Sequence, residues 1–300
     1  MREPEGPRRR HRGERKEDID VAGPDGVRLA VRVHDAPSAS ATDLLLHHGL
    51  ASSQRIWDLM VPRLIRRFRV VTFDARGHGL SAKPSTGYGL DSVVADARAV
   101  IRAAGLRRPV VAGHSWGATV ALELAARHPR GVGGAVLVDG GIGTLRGTMD
   151  WADVKEQLAP PHLAGMQVAE FRRMIRTFLG DAVEITPQIE EIVLSVMHVD
   201  RRGRIKPRLS RANHFRILRG IWLHDPDATL TRLSVPTLAI LARGGGDPEW
   251  DERKRLSAER TMRSGAPIRI SWMKGIHDLP LQHPDALAGR IERFSEGLVR

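Results

Sequence analysis

Val27, Leu29, Val31 and Val33 alternate with polar or small residues, the period-two pattern of a strand with one buried face. The turn residues Gly23-Pro24-Asp25-Gly26 stand just before it. Segments 19–21 and 27–33 are therefore expected to form a hairpin. Farther along, alternation gives way to short apolar runs at 44–46, 70–73, 110–112, 135–138, 238–241 and 268–272. Unbroken runs of this length suit strands covered on both faces. Helical periodicity between several of them predicts helices near 91–104, 116–127 and 284–298. Strands and helices in alternation predict an α/β fold, with a mostly parallel central sheet and helices on both faces.

One section breaks the rhythm. From Asp139 to Val235 there is no clear strand run, while 158–179 and 185–199 carry apolar residues three and four apart. This predicts a helical insertion between two strands of the sheet. Trp151, Leu158, Met166, Phe171, Met174, Phe178 and Trp222 lie in it. They are candidates to line an apolar pocket, although helical spacing makes most of them ordinary core.

Charge and composition narrow the function. The 300 residues carry 47 Lys+Arg against 35 Asp+Glu, a formal charge of +12. Such an excess suggests nucleic acid or an anionic surface. Aromatic residues are only 4%, with a single tyrosine, so stacking platforms for single strands are scarce. No zinc-finger spacing or RNA-binding signature accompanies the charge, and nucleic acid is not an expected partner. With no cysteine, disulfides, a thiolate nucleophile and Cys-ligated metals are excluded. No apolar run approaches the roughly 18 residues that would span a bilayer. The first twenty residues hold seven basic and six acidic side chains and no apolar stretch after the Arg run. Residues 1–18 are expected to be a solvated tail rather than a secretory signal, and a cytoplasmic location is expected. The charge excess gathers elsewhere: eight basic residues and no acidic one in 201–222, and four unopposed in 61–73. The first group is expected near the pocket entrance. A solvated Arg-rich face is favoured there over a role in steering anionic substrates.

The chemistry is carried by Gly113-His114-Ser115-Trp116-Gly117, which joins an apolar strand to an amphipathic helix. G-x-S-x-G in that setting puts a serine on a sharp turn that only small neighbours permit. Its hydroxyl needs a base oriented by an acid. His277 follows the last strand run and is the candidate base. Asp247, in a Gly-rich loop after 238–241, is the favoured acid, and Asp139, at the end of 135–138, is the alternative. The backbone N–H groups of Leu50 and Trp116 are the candidate oxyanion donors. A metal site at His47-His48 is disfavoured, because neighbours on a strand point to opposite faces.

Taken in order, these stretches resemble the α/β-hydrolase fold family, serine-nucleophile type. The matching segments are HHGLASS at 47–53, FDARGHGLS at 73–81, GHSWGA at 113–118, the Gly-rich loop ending in Asp247, and GIHDLPLQHP at 275–284. The departure is the triple glycine 244–246 before Asp247. The resemblance implies a hydrolase core over 19–144 and 226–300 and a helical cap over 145–225. It also implies structural roles for Asp74 and His78. Dehalogenases and epoxide hydrolases of this fold use an aspartate nucleophile; a serine implies cleavage of a carboxylic ester or related acyl bond in a small molecule. Carbon–carbon bond hydrolases and cofactor-free perhydrolases share the arrangement. Neither a metal nor an organic cofactor is called for.

Overall fold

In the computed structural model, which describes residues 16–35, 41–245 and 247–298, the apolar runs become strands. They are β1 (Lys16–Ala22), β2 (Arg28–His34), β3 (Thr42–His47), β4 (Phe68–Phe73), β5 (Val110–His114), β6 (Gly134–Val138), β7 (Met197–Val199), β8 (Ile205–Pro207), β9 (Thr237–Gly244) and β10 (Ile268–Gly275). Eight of them form one sheet in the order β1-β2-β4-β3-β5-β6-β9-β10. The β1–β2 hairpin and the β2–β4 pair are antiparallel, and the remaining neighbours in this sheet are parallel. The helices are α1 (Val61–Leu64), α2 (Leu90–Ala103), α3 (Trp116–Arg127), α4 (Trp151–Gln157), α5 (Val168–Leu179), α6 (Pro187–Leu194), α7 (Arg211–Leu223), α8 (Pro226–Leu230), α9 (Pro248–Arg263), α10 (Leu279–Gln282) and α11 (Pro284–Glu296).

Alternate residues of the inner strands serve opposite faces. Leu45, Val71, Val111 and Leu137 pack with Val93 and Ala97 of α2 and Val120 and Leu124 of α3. Leu44, Val70, Val110 and Val136 pack on the other side with Trp57, Leu64 of α1, and Ile291 and Phe294 of α11. Both layers are dry, which is why these strands read as unbroken apolar runs.

The edge differs from expectation. Lys16, Glu17 and Asp18 open β1 rather than belonging to a tail, and residues 1–15 lie outside the described residues. Strand β1 pairs with β2 along its whole length, and Arg28–Asp20 and Arg32–Asp18 bridges at 2.6 Å line its solvent side. Its first three residues are all charged, so a hydrophobic pattern reads the strand only from Ile19 onward.

The insertion between β6 and β9 is helical, with one short hairpin. The helix expected over 158–179 begins only at Val168, because Pro160, Pro161 and Gly165 (φ 90°) interrupt the segment before it. The one expected over 185–199 divides into α6 and β7, and β7 pairs with β8. Phe171, Ile175, Met197 and Ile205 form a small core of the insertion's own. Asn213 Nδ2 donates to the Tyr88 hydroxyl at 2.7 Å, and the Ser53 and Ser195 hydroxyls meet at 2.7 Å. These contacts moor the insertion to the sheet domain.

Candidate active site

Ser115 links β5 to α3 with φ 55° and ψ −119°. Left-handed backbone at a non-glycine residue costs on the order of 1–3 kcal/mol and persists only where surroundings enforce it. Here the Ser115 N–H donates to the Val138 carbonyl at 2.8 Å, and the Ser115 carbonyl accepts from the Ala118 N–H at 2.9 Å. Side chains cannot replace the flanking glycines. A Cβ at Gly113 would lie 1.9 Å from the Gly117 carbonyl oxygen, and one at Gly117 would lie 2.4 Å from that of His47. The turn thus brings Ser115 into a cavity wall at the head of α3. The Trp116 N–H, first in that helix, has no partner within it.

His277 follows β10 and lines the same cavity. Its Nδ1 donates to Asp139 Oδ2 at 2.6 Å. The acid in contact with the imidazole is therefore Asp139, not the favoured Asp247. Asp247 caps α9, its Oδ1 accepting from the Glu249 N–H at 2.8 Å. Two local reasons decide this. Strand β9 ends at Gly244, and Asp247 stands past that end, reaching the wall as the cap of α9, ahead of Pro248. Asp139 instead stands directly at the end of β6, the strand beside β5. It too is left-handed, at φ 46°. The residue after it must be glycine, because a Cβ at Gly140 would lie 2.3 Å from the Ser115 carbonyl oxygen. The pair Gly140-Gly141 after a strand-end aspartate is the sequence signal that marks this close approach.

The Asp139 carboxylate is fully covered. Oδ1 accepts from the Ala242 N–H at 2.8 Å, and Oδ2 also accepts from Lys254 Nζ at 3.0 Å. Burial alone would raise its pKa. The His277 hydrogen bond, the charges of His277 and Lys254, and the Ala242 N–H outweigh burial and hold it below the usual carboxylate value. At His277 desolvation pulls the pKa down, but the Asp139 hydrogen bond and charge raise it above the ordinary 6.5. Half of that side chain stays open to the cavity, which tempers both effects.

Leu50 reaches the cavity from the loop after β3. Buried histidines shape that loop. His48 Nδ1 donates to the Gly49 carbonyl at 2.7 Å, and its Nε2 accepts from the Ala75 N–H at 3.0 Å. His78 Nδ1 donates to the Arg76 carbonyl at 3.0 Å, and its Nε2 accepts from the Ala51 N–H at 3.2 Å. His47 Nδ1 donates to the His48 carbonyl at 2.8 Å. Asp74 accepts from the Gln54 and Leu80 N–H groups, both at 2.8 Å. Asp74 and His78 hold backbone, as expected of structural residues.

The cavity has a volume of about 570 Å³. Leu145, Leu158, His214, Leu218 and Ile221 supply its wall from the insertion, and Trp250 and Lys254 from α9. Of the seven insertion residues singled out above, Leu158 alone lines it. Phe171 is buried in the insertion's core, Met166 and Met174 pack on that core, and Phe178 is 78% exposed. Trp151 and Trp222 pack with each other and with Arg219. Lys254 escaped sequence reasoning, because α9 buries only Ser257, Ala258 and Thr261 and has almost no apolar stripe.

A model of the alpha/beta hydrolase fold matches residues 43–185. Over 96 residues the chain is 35% identical to 2-(acetamidomethylene)succinate hydrolase of Mesorhizobium japonicum, a stretch covering 32% of this chain and 34% of that protein. Over 101 residues it is 41% identical to a non-heme haloperoxidase of Rhodococcus erythropolis, covering 33% and 37%. The matched stretches span little more than a third of these relatives' length. The solved structure of E-2-(acetamidomethylene)succinate hydrolase aligns with a TM-score of 0.78 at 20% identity, over 94% of this chain and 100% of that one. At that identity the likeness speaks for the fold. Sheet order, the Ser115 turn and these matches show that the chain has the alpha/beta hydrolase fold.

Proposed function

We propose that the chain is a serine hydrolase acting on an acyl bond of a small molecule, with Ser115 as nucleophile, His277 as base and Asp139 as the acid. The observation that carries this reading is the 2.6 Å His277–Asp139 bond in the wall of the cavity that Ser115 also lines. His277 Nε2 takes the Ser115 proton as Oγ attacks the substrate carbonyl, forming a tetrahedral oxyanion. The N–H groups of Leu50 and Trp116 stabilise that oxyanion. Collapse breaks the acyl bond, and His277 returns the proton to the leaving group. Water, giving a proton to His277, then attacks the acyl-enzyme and releases the carboxylic acid. Asp139 fixes the imidazole with its proton on Nδ1 and stabilises the imidazolium. Segment 145–225 acts as a cap whose apolar wall selects the substrate.

The purified chain should hydrolyse short p-nitrophenyl esters and take up a fluorophosphonate at Ser115. Ser115→Ala should lower kcat by on the order of 10⁴-fold or more. Unchanged turnover in that variant removes the scheme. The stretch shared with a haloperoxidase supports a second reading. In it hydrogen peroxide replaces water at the acyl-enzyme and a peracid leaves. Peracid formation from an ester in peroxide, lost in Ser115→Ala, distinguishes it from hydrolysis alone.

A further inference from the structure

Asp139, Ala242 and Lys254 close a ring of hydrogen bonds beside the imidazole. The Ala242 N–H donates to Asp139 Oδ1 at 2.8 Å, and Lys254 Nζ donates to Asp139 Oδ2 and to the Ala242 carbonyl, both at 3.0 Å. The ammonium therefore sits on the same oxygen that accepts the His277 Nδ1–H. This is not a surface ion pair of the kind that contributes little. The carboxylate is fully covered and the lysine side chain is 22% exposed.

We propose that Lys254 is a positioning residue for the reaction: its ammonium locks the Asp139 carboxylate and weakens that carboxylate's hold on a protonated His277. The inference rests on the serine-hydrolase reading. A carboxylate bonded to His277 alone would place its full charge on the imidazolium. The ammonium on the shared oxygen opposes that charge, so His277 returns more readily to the neutral form that accepts the serine proton. Other charged and titratable groups face the pair. Asp251, one turn earlier on α9, lies 4.0 Å from Lys254 Nζ. Asp278, next in the chain, adds negative charge at His277. The His114 ring, at the end of β5, stands 4.9 Å from that of His277 and is held neutral by burial. Among these groups Lys254 supplies the positive charge, and it acts to lower the proton affinity of His277.

The test compares the full-length wild type with Lys254→Met and Lys254→Arg. Two readouts are taken: the pH profile of kcat/KM on p-nitrophenyl acetate, and the His277 ring titration by NMR. In Lys254→Met both the acid limb and the ring titration should move to higher pH by on the order of half to one unit. Lys254→Arg should restore both, whereas a merely structural role would change kcat without moving either. Coincidence of Lys254→Met with wild type, or an equal shift in Lys254→Arg, overturns the proposal. If Lys254→Met does not fold, Lys254→Gln keeps a donor without the charge and should show the same shift. If the wild type hydrolyses no ester, the hydrolase reading fails, and the ring titration still decides the role of Lys254.

Discussion

Asp139 and Asp247 line one cavity, yet their backbones commit them differently. Asp139 holds left-handed geometry and three hydrogen bonds, one of them to His277. Asp247 is an extended helix cap. Asn caps a helix as well as Asp does. Asp247→Asn should therefore keep kcat and stability near wild type. Asp139→Asn cannot hold His277 with its proton on Nδ1, and should lower kcat by about 10³-fold or more. Steady-state kinetics on one ester compares the two. A larger fall in kcat for Asp247→Asn would reverse the assignment.

At the scale of elements, the β5–turn–α3 unit depends on backbone packed against backbone. A Cβ on Gly117 would meet the His47 and His48 carbonyl oxygens at 2.4 and 2.6 Å. No rotamer change relieves such contacts, so Gly117→Ala should lose about 1–3 kcal/mol of stability, read from urea unfolding. Gly131→Ala, whose Cβ would enter open space, should unfold near the wild-type midpoint. This backbone economy also explains what the sequence could and could not reveal. The central strands were legible because two dry faces make unbroken apolar runs. The Ser115 turn was legible because its glycines are obligatory. The carboxylate that meets His277 was not, because strand ends look alike along a chain. The spatial order β5-β6-β9 sets Asp139 between the serine strand and the next, and in the chain the Gly140-Gly141 pair is its one mark. Helix α9 stayed hidden because a stripe of Ser257, Ala258 and Thr261 carries almost no hydrophobic signal.

Over the whole molecule the net charge of +12 remains, but several cations of the two basic stretches are paired or packed in space. Arg63 meets Glu292 at 2.7 Å and Arg67 meets Glu296 on α11, so the 61–73 stretch is opposed by the far end of the chain. In 201–222, Arg219 lies 4.9 and 4.4 Å over the rings of Trp151 and Trp222, and Arg211 lies 5.0 Å over Phe215. Arg208 donates to the Ser195 carbonyl at 3.1 Å. The residues of this stretch that line the cavity are His214, Leu218 and Ile221, not its arginines. This supports an outward, packed Arg-rich face over a steering device.

Buried histidines set how the fold responds to acid. Burial lowers the pKa of His34 and His114 to about 4 and that of His47 to about 3, and holds His78 well below 6.5. The unfolded chain takes up these protons near pH 6.5, but the folded chain resists them. Their contribution to stability is complete above about pH 6.5 and falls as pH drops toward 4. His277, with a raised pKa, has the opposite sign but is one group against four. Urea midpoints should therefore be lower at pH 5 than at pH 7.5. Equal midpoints would mean that these rings are not held neutral.

The Ser115 N–H on the Val138 carbonyl, and Gly140 pressed against the Ser115 carbonyl, have a mechanical consequence. Serine and carboxylate share one bracket of backbone contacts, which sets their spacing. His277 arrives on a separate arm between β10 and α10, fastened by its carbonyl to His114 Nε2 at 2.9 Å. Two members are thus joined backbone to backbone, and the third is tied to them by its ring and one carbonyl. A substitution in the insertion or the C-terminal helices should therefore misplace the imidazole before it parts serine from carboxylate.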